Sequence, residues 1–110
     1  MHRGNIDLMI EYSVAVLATG DAKRTCALVR DLARKWPREK ALSICFAITS
    51  AASQFEDLVK GQAAPAALAY KLSALVAADI LAIEALGRQP ATGQDLLHFW
   101  RRVDPYFFEI

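Results

Sequence analysis

The stretch SALVAADILAIEAL, residues 73–86, carries the pattern that decides the fold class. Its apolar residues recur with the period of a helix, and apolar and polar residues do not alternate as they would in a strand. Pro65, a residue favoured in a first helical turn, opens the segment, and Gly87 ends it as a C-terminal glycine. The stretch therefore belongs to one long predicted helix over residues 65–87.

Glycine and proline divide the rest of the chain into similar segments, none of which alternates with period two. Further helices are predicted over residues 6–19, over 21–36 with Asp21 as N-cap, from within PREKAL (residues 37–42) to about residue 60, and from Thr92 or Asp95 to residue 103. The helix over 65–87 is then the fourth of five. We predict an all-α fold with a single domain over residues 1–110. It is an antiparallel bundle of four main helices plus a short C-terminal fifth helix and an aromatic tail.

The overall composition describes a folded protein without a strong charge preference. Of 110 residues, 55% are hydrophobic and 23% are charged, and the net charge is +1. This balance is typical of a globular domain and favours neither a nucleic-acid binder nor an acidic interaction tail. The two cysteines, Cys26 and Cys45, lack the spacing of a metal site or a redox pair, so we expect reduced thiols and a cytoplasmic location.

Neither an export signal nor a membrane span is expected. Asp7 and Glu11 interrupt the apolar run that a signal peptide would need before the small residues of SVAVLATGDA. Residues 66–86 are long enough to cross a bilayer, but Lys71, Asp79 and Glu84 would each cost about 2.5–3.5 kcal/mol at its centre. We therefore predict a soluble protein.

The fourth predicted helix is apolar on two sides, which indicates that a second chain covers one of them. One side is a stripe around Asp79 that consists of Leu68, Leu72, Leu75, Val76, Ile83 and Leu86. The opposite side is a ridge of small residues, namely Ala67, Ala74, Ala78 and Ala85. The third predicted helix has no charge from residue 41 to residue 55, so a covered position is expected for it as well. We predict a homodimer with helices three or four at the contact.

Asp79 interrupts the apolar stripe, and its helical neighbours cannot pair with it because the side chains three and four positions away are all aliphatic. A buried carboxylate needs a hydrogen bond, a counter-charge or an opening to solvent. The candidate partners are Tyr12, Ser43, Ser50, His98, Trp100 and Arg101. Two interpretations stay open: a polar group that fixes the helix register, or a ligand pocket lined by Asp79, His98 and Trp100.

No residues have the spacing of a catalytic or metal site. His98 has no second His or Glu three or four positions away, and the other histidine is His2. Cys45 lies in the uncharged third helix, where a buried apolar role is usual, and the glycines mark helix ends rather than a phosphate loop. We therefore predict no catalytic residue, no metal and no cofactor.

The region from residue 23 to residue 40 holds seven Lys or Arg residues against two acidic ones. Such an excess can contact phosphates, but the outer side of an amphipathic helix usually carries charge because it faces water. The turn KWPRE, residues 35–39, also lacks the glycine often seen in a helix-turn-helix. Nucleic-acid contact through helix two is therefore an alternative that is not favoured.

The C-terminal stretch HFWRRVDPYFFEI, residues 98–110, holds half of the aromatic residues. Pro105 cannot continue a helix, so we predict that the chain turns or extends there and that its last five residues pack on the bundle or on a second subunit. Alternatively, the tail docks into a different protein, because aromatic side chains are enriched at interaction hot spots. The candidate interaction residues are Trp100, Tyr106, Phe107 and Phe108.

The function that these features favour is non-catalytic. We expect a small helical protein that acts by self-association and protein binding. Small-molecule binding or catalysis in a pocket around Asp79 is the first alternative, and weak nucleic-acid contact is the second.

Overall fold

A computed structural model describes residues 4–110, and within them the chain forms six helices. They are α1 (Asn5–Ala18), α2 (Ala22–Lys35), α3 (Ala41–Leu58), α4 (Ala64–Ala85), α5 (Gly93–Arg102) and α6 (Tyr106–Glu109). The described residues contain no strand, only an isolated bridge between Lys40 and Thr92. The all-α prediction is confirmed. The glycine and proline pattern also located the ends of the five longer helices to within about two residues, except that the start of α3 was placed only within residues 37–42 and lies at Ala41.

Local chemistry explains where the helices begin and end. The Asp21 carboxylate accepts from the backbone N–H of Lys23 at 2.9 Å and so caps α2 as predicted. The choice between Thr92 and Asp95 resolves into a capping box, in which each side chain bonds to the backbone N–H of the other residue. Gly87 adopts a φ of 101° after α4, a backbone conformation that side chains with a Cβ rarely adopt.

The centre of the bundle is the pair α3 and α4, with α1 packed on the other side of α3 and with α2 and α5 packed on α4. The register of the pair is set by a buried hydroxyl. Ser73 Oγ lies 2.7 Å from Thr49 Oγ1 and donates to the Cys45 carbonyl at 3.1 Å. The buried Ser73 hydroxyl therefore has partners, and its burial carries no desolvation penalty from an unmade hydrogen bond.

The side of α4 that is buried differs from the predicted apolar stripe, because it is turned toward α3. Leu72, Val76 and Ile83 are buried as predicted, but Leu86 is 79% exposed. The stripe prediction omitted Ser73 and Ile80, both of which are buried. The reason is that α3 covers one flank of α4, where the Ser73 cluster lies. A helical wheel locates apolar positions but cannot tell which neighbouring helix lies against which flank.

By length and composition, α4 is the one helix of the described chain that could cross a membrane. It has 22 residues, with a mean hydropathy of 1.8 over its most apolar window, and 39% of that window is buried inside the bundle. A central helix of a soluble bundle has the same properties, so these numbers do not distinguish the two settings.

The N-terminus of α5 meets the turn between α2 and α3 at Gly93, where the backbones are in close contact. Gly93 N–H donates to the Glu39 carbonyl at 2.9 Å, and the next residue, Gln94, donates to the Pro37 carbonyl at 2.8 Å. A Cβ at position 93 would lie 2.8 Å from the Trp36 carbonyl oxygen and 3.2 Å from the Pro37 Cα. The glycine is therefore required by close approach, not by an unusual φ.

We expect Gly93→Ala to lower the free energy of unfolding by about 1–3 kcal/mol, because backbone atoms would have to move apart. Gly4→Ser is the control. It also adds a Cβ, but in open space at the N-cap of α1, where serine is favoured. Chemical denaturation of the three proteins measures the difference. Equal stability of Gly93→Ala and the parent would show that the contact at Gly93 is looser than described.

Candidate functional site

Asp79 meets Trp100, one of its six predicted partners. The indole Nε1–H of Trp100 on α5 donates to Asp79 Oδ2 on α4 at 2.9 Å. Trp100 is fully buried, whereas Asp79 is half-buried at the edge of the α4–α5 seam. The hydrogen bond satisfies the only polar atom of the tryptophan side chain and links the fourth helix to the fifth.

The aromatic tail covers the other side of Trp100. The ring centroid of Phe107 lies 4.9 Å from that of Trp100, and the Phe108 ring lies 6.0 Å from it in an edge-on arrangement. Phe107 is buried, Phe108 is half-buried, and Tyr106 is 40% exposed. Two of the four predicted interaction residues, Trp100 and Phe107, are thus buried within their own chain.

Of the two predicted courses after Pro105, a turn or an extended segment, the structure has a turn, because residues 106–109 form the short helix α6. Pro105 stands before this turn with a φ of −79°, which suits the start of a helix as well as an extended segment. The Asp104 carboxylate accepts from the Tyr106 N–H at 3.2 Å and supports the turn. Helical spacing then places Phe107 inward, where strand-like alternation would have divided the side chains between two faces.

Two arginines of helix α2 hold the tail, a role that sequence reasoning missed. Arg30 Nη1 donates to the Phe107 carbonyl at 3.1 Å and to the Ile110 carbonyl at 3.2 Å. The Arg34 guanidinium lies 5.6 Å from the centroid of the Phe108 ring, within cation–π range. Part of the basic run of helix two is therefore used inside the molecule. No local pattern could have revealed this, because the partners lie more than 70 residues away.

The environment of Asp79 disfavours its charged form. Burial raises the pKa of the Asp79 carboxyl, the hydrogen bond from Trp100 lowers it, and the nearby charge of Asp104 raises it again. The net result is a pKa above the ordinary value of 3.8. At neutral pH the Asp79 carboxylate accepts the indole hydrogen bond, but its partial burial disfavours the negative charge. A neutral acceptor at this position would therefore be more stable.

This predicts opposite effects for two substitutions. Asp79→Ala should destabilise the protein by about 1–3 kcal/mol, because the buried Trp100 N–H loses its acceptor. Asp79→Asn keeps an oxygen acceptor without the charge, so at pH 7 it should match or exceed the parent in stability. Thermal melts of the three proteins separate these outcomes. Stabilisation by alanine would contradict a structural role for the hydrogen bond.

The pH dependence has a fixed sign. A carboxyl whose pKa is raised on folding contributes stability that is fully present below 3.8 and is lost as the pH rises through its folded pKa. The advantage of Asp79→Asn should therefore be small in acid and should grow as the pH rises through the carboxyl range. If the stability advantage of Asp79→Asn over the parent became smaller as the pH rises, the pKa of Asp79 would not be raised by folding.

His98 lies apart from Asp79 and Trp100. It is exposed on the opposite side of α5, where it lines a groove between that helix and the end of α4. Neither Asp79 nor Trp100 lines this groove, so the structure does not combine the three predicted ligand-binding residues in one pocket. The groove is lined by Ile83, Leu86, Arg88, Thr92, Gln94, Asp95, His98, Phe99, Arg102 and Val103.

The described side chains provide little for catalysis or metal binding. Within residues 4–110 no three His, Cys, Asp or Glu side chains are close enough together to hold a metal ion. Cys26 and Cys45 are free, and the Cys45 sulfur lies 3.1 Å from the Ser73 hydroxyl in the buried polar cluster. Asp79 bonds to an indole N–H, which is neither a nucleophile nor a base, so the pair has no catalytic geometry.

An exposed apolar face lies across the α3–α4 seam. We define this α3–α4 face by two large residues of α3 and four residues of α4, which are Leu42, Phe46, Tyr70, Ala74, Ala78 and Leu81. Leu42 is 66% exposed, Phe46 55% and Leu81 70%. Both helices contribute to one surface because the bonds of Ser73 to α3 and of Tyr70 to Glu56 hold them side by side.

The α3–α4 face carries no charged side chain. Lys71 and Glu56 lie at its edges, and the Tyr70 hydroxyl donates to Glu56 at 2.7 Å. The alanine ridge predicted from sequence is exposed, as Ala67, Ala74, Ala78 and Ala85 all face away from the core. Sequence analysis did not identify Leu42 and Phe46, although a leucine and a phenylalanine outside the apolar arc of helix three were a usable signal.

Comparison with known proteins adds no identity: no protein-family model, curated protein or solved structure matches this chain.

Proposed function

We propose that this protein acts without catalysis, as a small cytoplasmic helical protein that forms a homodimer through the α3–α4 face and works by protein binding. The observation that carries this proposal is the uncharged face itself. Large apolar side chains exposed together on a small monomer, with no charge among them and charges only at the edges, are typical of an interaction surface. The absence of charge within the face favours a partner with an equally apolar surface.

A second copy of the chain fits this face by shape. Leu42 and Phe46 come from α3, whereas α4 contributes two small alanines, at 74 and 78, between Tyr70 and Leu81. A two-fold axis parallel to the helices brings the α3 side of each face onto the α4 side of the other. Phe46 of one copy would then lie on Ala74 and Ala78 of the second, so a large residue meets small ones at the centre of the contact.

The face is small for a dimer contact. Along α4 it runs from Tyr70 to Leu81, a length of about 17 Å, and two adjacent helices span about 20 Å. The face therefore offers about 330 Å² per chain, or about 660 Å² in total. That area lies below the range of about 1,200–2,000 Å² for standard interfaces, so we expect a weak, micromolar association.

Protein binding at the aromatic C-terminus stays a prediction with a narrower basis. Trp100 and Phe107 are enclosed by their own chain, so Tyr106 and the outer edge of Phe108 are the aromatic surface left for a partner. The α3–α4 face offers more apolar area and is the surface on which the proposal depends.

A charged side chain in the face tests the proposal. We expect the parent to sediment as a dimer at tens of micromolar and Phe46→Glu to sediment as a monomer, because an unpaired carboxylate would be buried in the contact. Leu58→Glu is the matched control, since Leu58 is 74% exposed but lies outside the face. Circular dichroism should show the same helix content in all three proteins.

Two results would contradict this function. If the parent protein were monomeric at 100 μM, the proposed homodimer would not form. A Phe46→Glu protein that remains as dimeric as the parent and Leu58→Glu would show that another surface forms the dimer.

A further inference from the structure

The groove between α4 and α5 is separate from the α3–α4 face and has the dimensions of a ligand site. Its volume is about 560 Å³, within the range of about 300–1,000 Å³ that small-molecule sites occupy. Ile83 and Phe99 contribute apolar surface to its lining, and Leu86 and Val103 stand at its mouth, 79% and 64% exposed. The dimer contact does not need these four residues.

The charges along the groove leave one cation without a partner. Arg88 Nε donates to Asp95 Oδ1 at 3.0 Å, so these two charges neutralise one another. Burial raises the pKa of the Asp95 carboxyl, but hydrogen bonds from the Thr92 backbone, Arg88 and the Thr92 hydroxyl outweigh it and hold the pKa below the usual value. Asp95 is thus fully ionised and engaged at neutral pH.

Arg102 is different, because no carboxylate of residues 4–110 pairs with its guanidinium. It lines the groove one helical turn from His98, which supplies further hydrogen-bonding nitrogen atoms beside it. The groove therefore combines exposed aliphatic residues, one aromatic ring and a free guanidinium. This combination is complementary to a molecule with an apolar body and a negatively charged end.

We infer that the α4–α5 groove binds an amphipathic monoanion, such as a medium-chain carboxylate, with its apolar body against Leu86, Phe99 and Val103 and its charged group on Arg102. The apolar contact covers the two exposed aliphatic side chains of the groove, Leu86 and Val103. The Arg102 guanidinium forms the charge-assisted hydrogen bonds that distinguish an acid from a neutral molecule of the same length. Asp95 does not oppose the anion, because Arg88 already neutralises it.

Octanoate and octan-1-ol form a matched pair of probes, since they share the chain length and differ in charge. We would follow amide and methyl NMR signals of the full chain during titration with each. Octanoate should shift the signals of Leu86, Phe99 and Val103 and should bind at least tenfold more tightly than octan-1-ol. Arg102→Gln should weaken octanoate binding about tenfold and leave octan-1-ol binding unchanged.

Two further variants complete the test. Arg24→Gln removes an exposed arginine of α2 outside the groove and should bind octanoate like the parent. Val103→Asp places a carboxylate at the mouth and should abolish binding of octanoate. Equal affinities for octanoate and octan-1-ol, no effect of Arg102→Gln, or shifts confined to the α3–α4 face would each overturn the assignment.

Discussion

Replacing Trp100 with alanine should lower the free energy of unfolding by about 3–5 kcal/mol, the range for large aromatic residues in a core. Trp100 is fully buried and contacts the Phe107 and Phe108 rings on one side and the Asp79 carboxylate on another. The substitution leaves a cavity and also removes the donor that stabilises Asp79. Chemical denaturation with tryptophan-independent detection by circular dichroism measures this loss.

Two controls separate the contributions. Trp100→Phe keeps most of the apolar volume but lacks the N–H, so its loss should be smaller than that of alanine. Tyr106→Ala removes an aromatic side chain that is 40% exposed and should cost about 1 kcal/mol or less. If the Trp100→Ala protein were as stable as the Tyr106→Ala protein, the packing of Trp100 against Phe107 would not contribute to the stability of the bundle.

Ending the chain after Pro105 should destabilise the protein by about 3–5 kcal/mol. The truncation exposes the surface of Trp100 and removes one buried and one half-buried phenylalanine, each fully buried ring being worth about 1.5–3 kcal/mol. It also removes the two carbonyl acceptors of Arg30 and leaves this half-buried guanidinium to water. Thermal and urea unfolding of the truncated and full chains measure the effect.

Arg30→Gln provides a second test of the tail, because it keeps every aromatic residue and weakens only the attachment of α6. We expect an intermediate loss of about 1–2 kcal/mol, appropriate to hydrogen bonds from a charged donor. If the truncated protein kept the melting temperature and assembly of the full chain, the tail would be a free docking segment. A search for its partner protein would then begin at Tyr106.

Sequence predicted those features that depend on neighbours along the chain. The helix ends followed from capping by Asp21, from the Thr92–Asp95 box and from glycine after α4, all of which act within a few residues. The unusual position of Asp79 was also visible, because every residue one turn away is aliphatic. The sequence limited the hydrogen-bond partner of Asp79 to six candidate side chains. It could not identify Trp100 among them, because that depends on how α4 and α5 pack.

The features that were missed all depend on packing between distant segments. Gly93 was assigned only as a marker of a helix end, because the residues that it contacts, Trp36 and Pro37, lie more than 50 positions earlier in the chain. Arg30 resembled a solvated residue because its acceptors lie at the other end of the chain. The α4–α5 groove is lined by residues of two helices and of the segment between them, so the sequence did not show that Arg102 and the exposed Leu86 line the same groove.

Isotope-filtered NMR on an equimolar mixture of labelled and unlabelled chains is the most direct test of the central claim, which is dimerisation through the α3–α4 face. We predict intermolecular cross-peaks between the Phe46 ring protons and the methyl groups of Ala74 and Ala78 on the second copy, in particles of twice the 12.1 kDa chain mass. Intermolecular cross-peaks from Leu86 or Val103 instead, or none in a sample of single 12.1 kDa chains, would contradict the account.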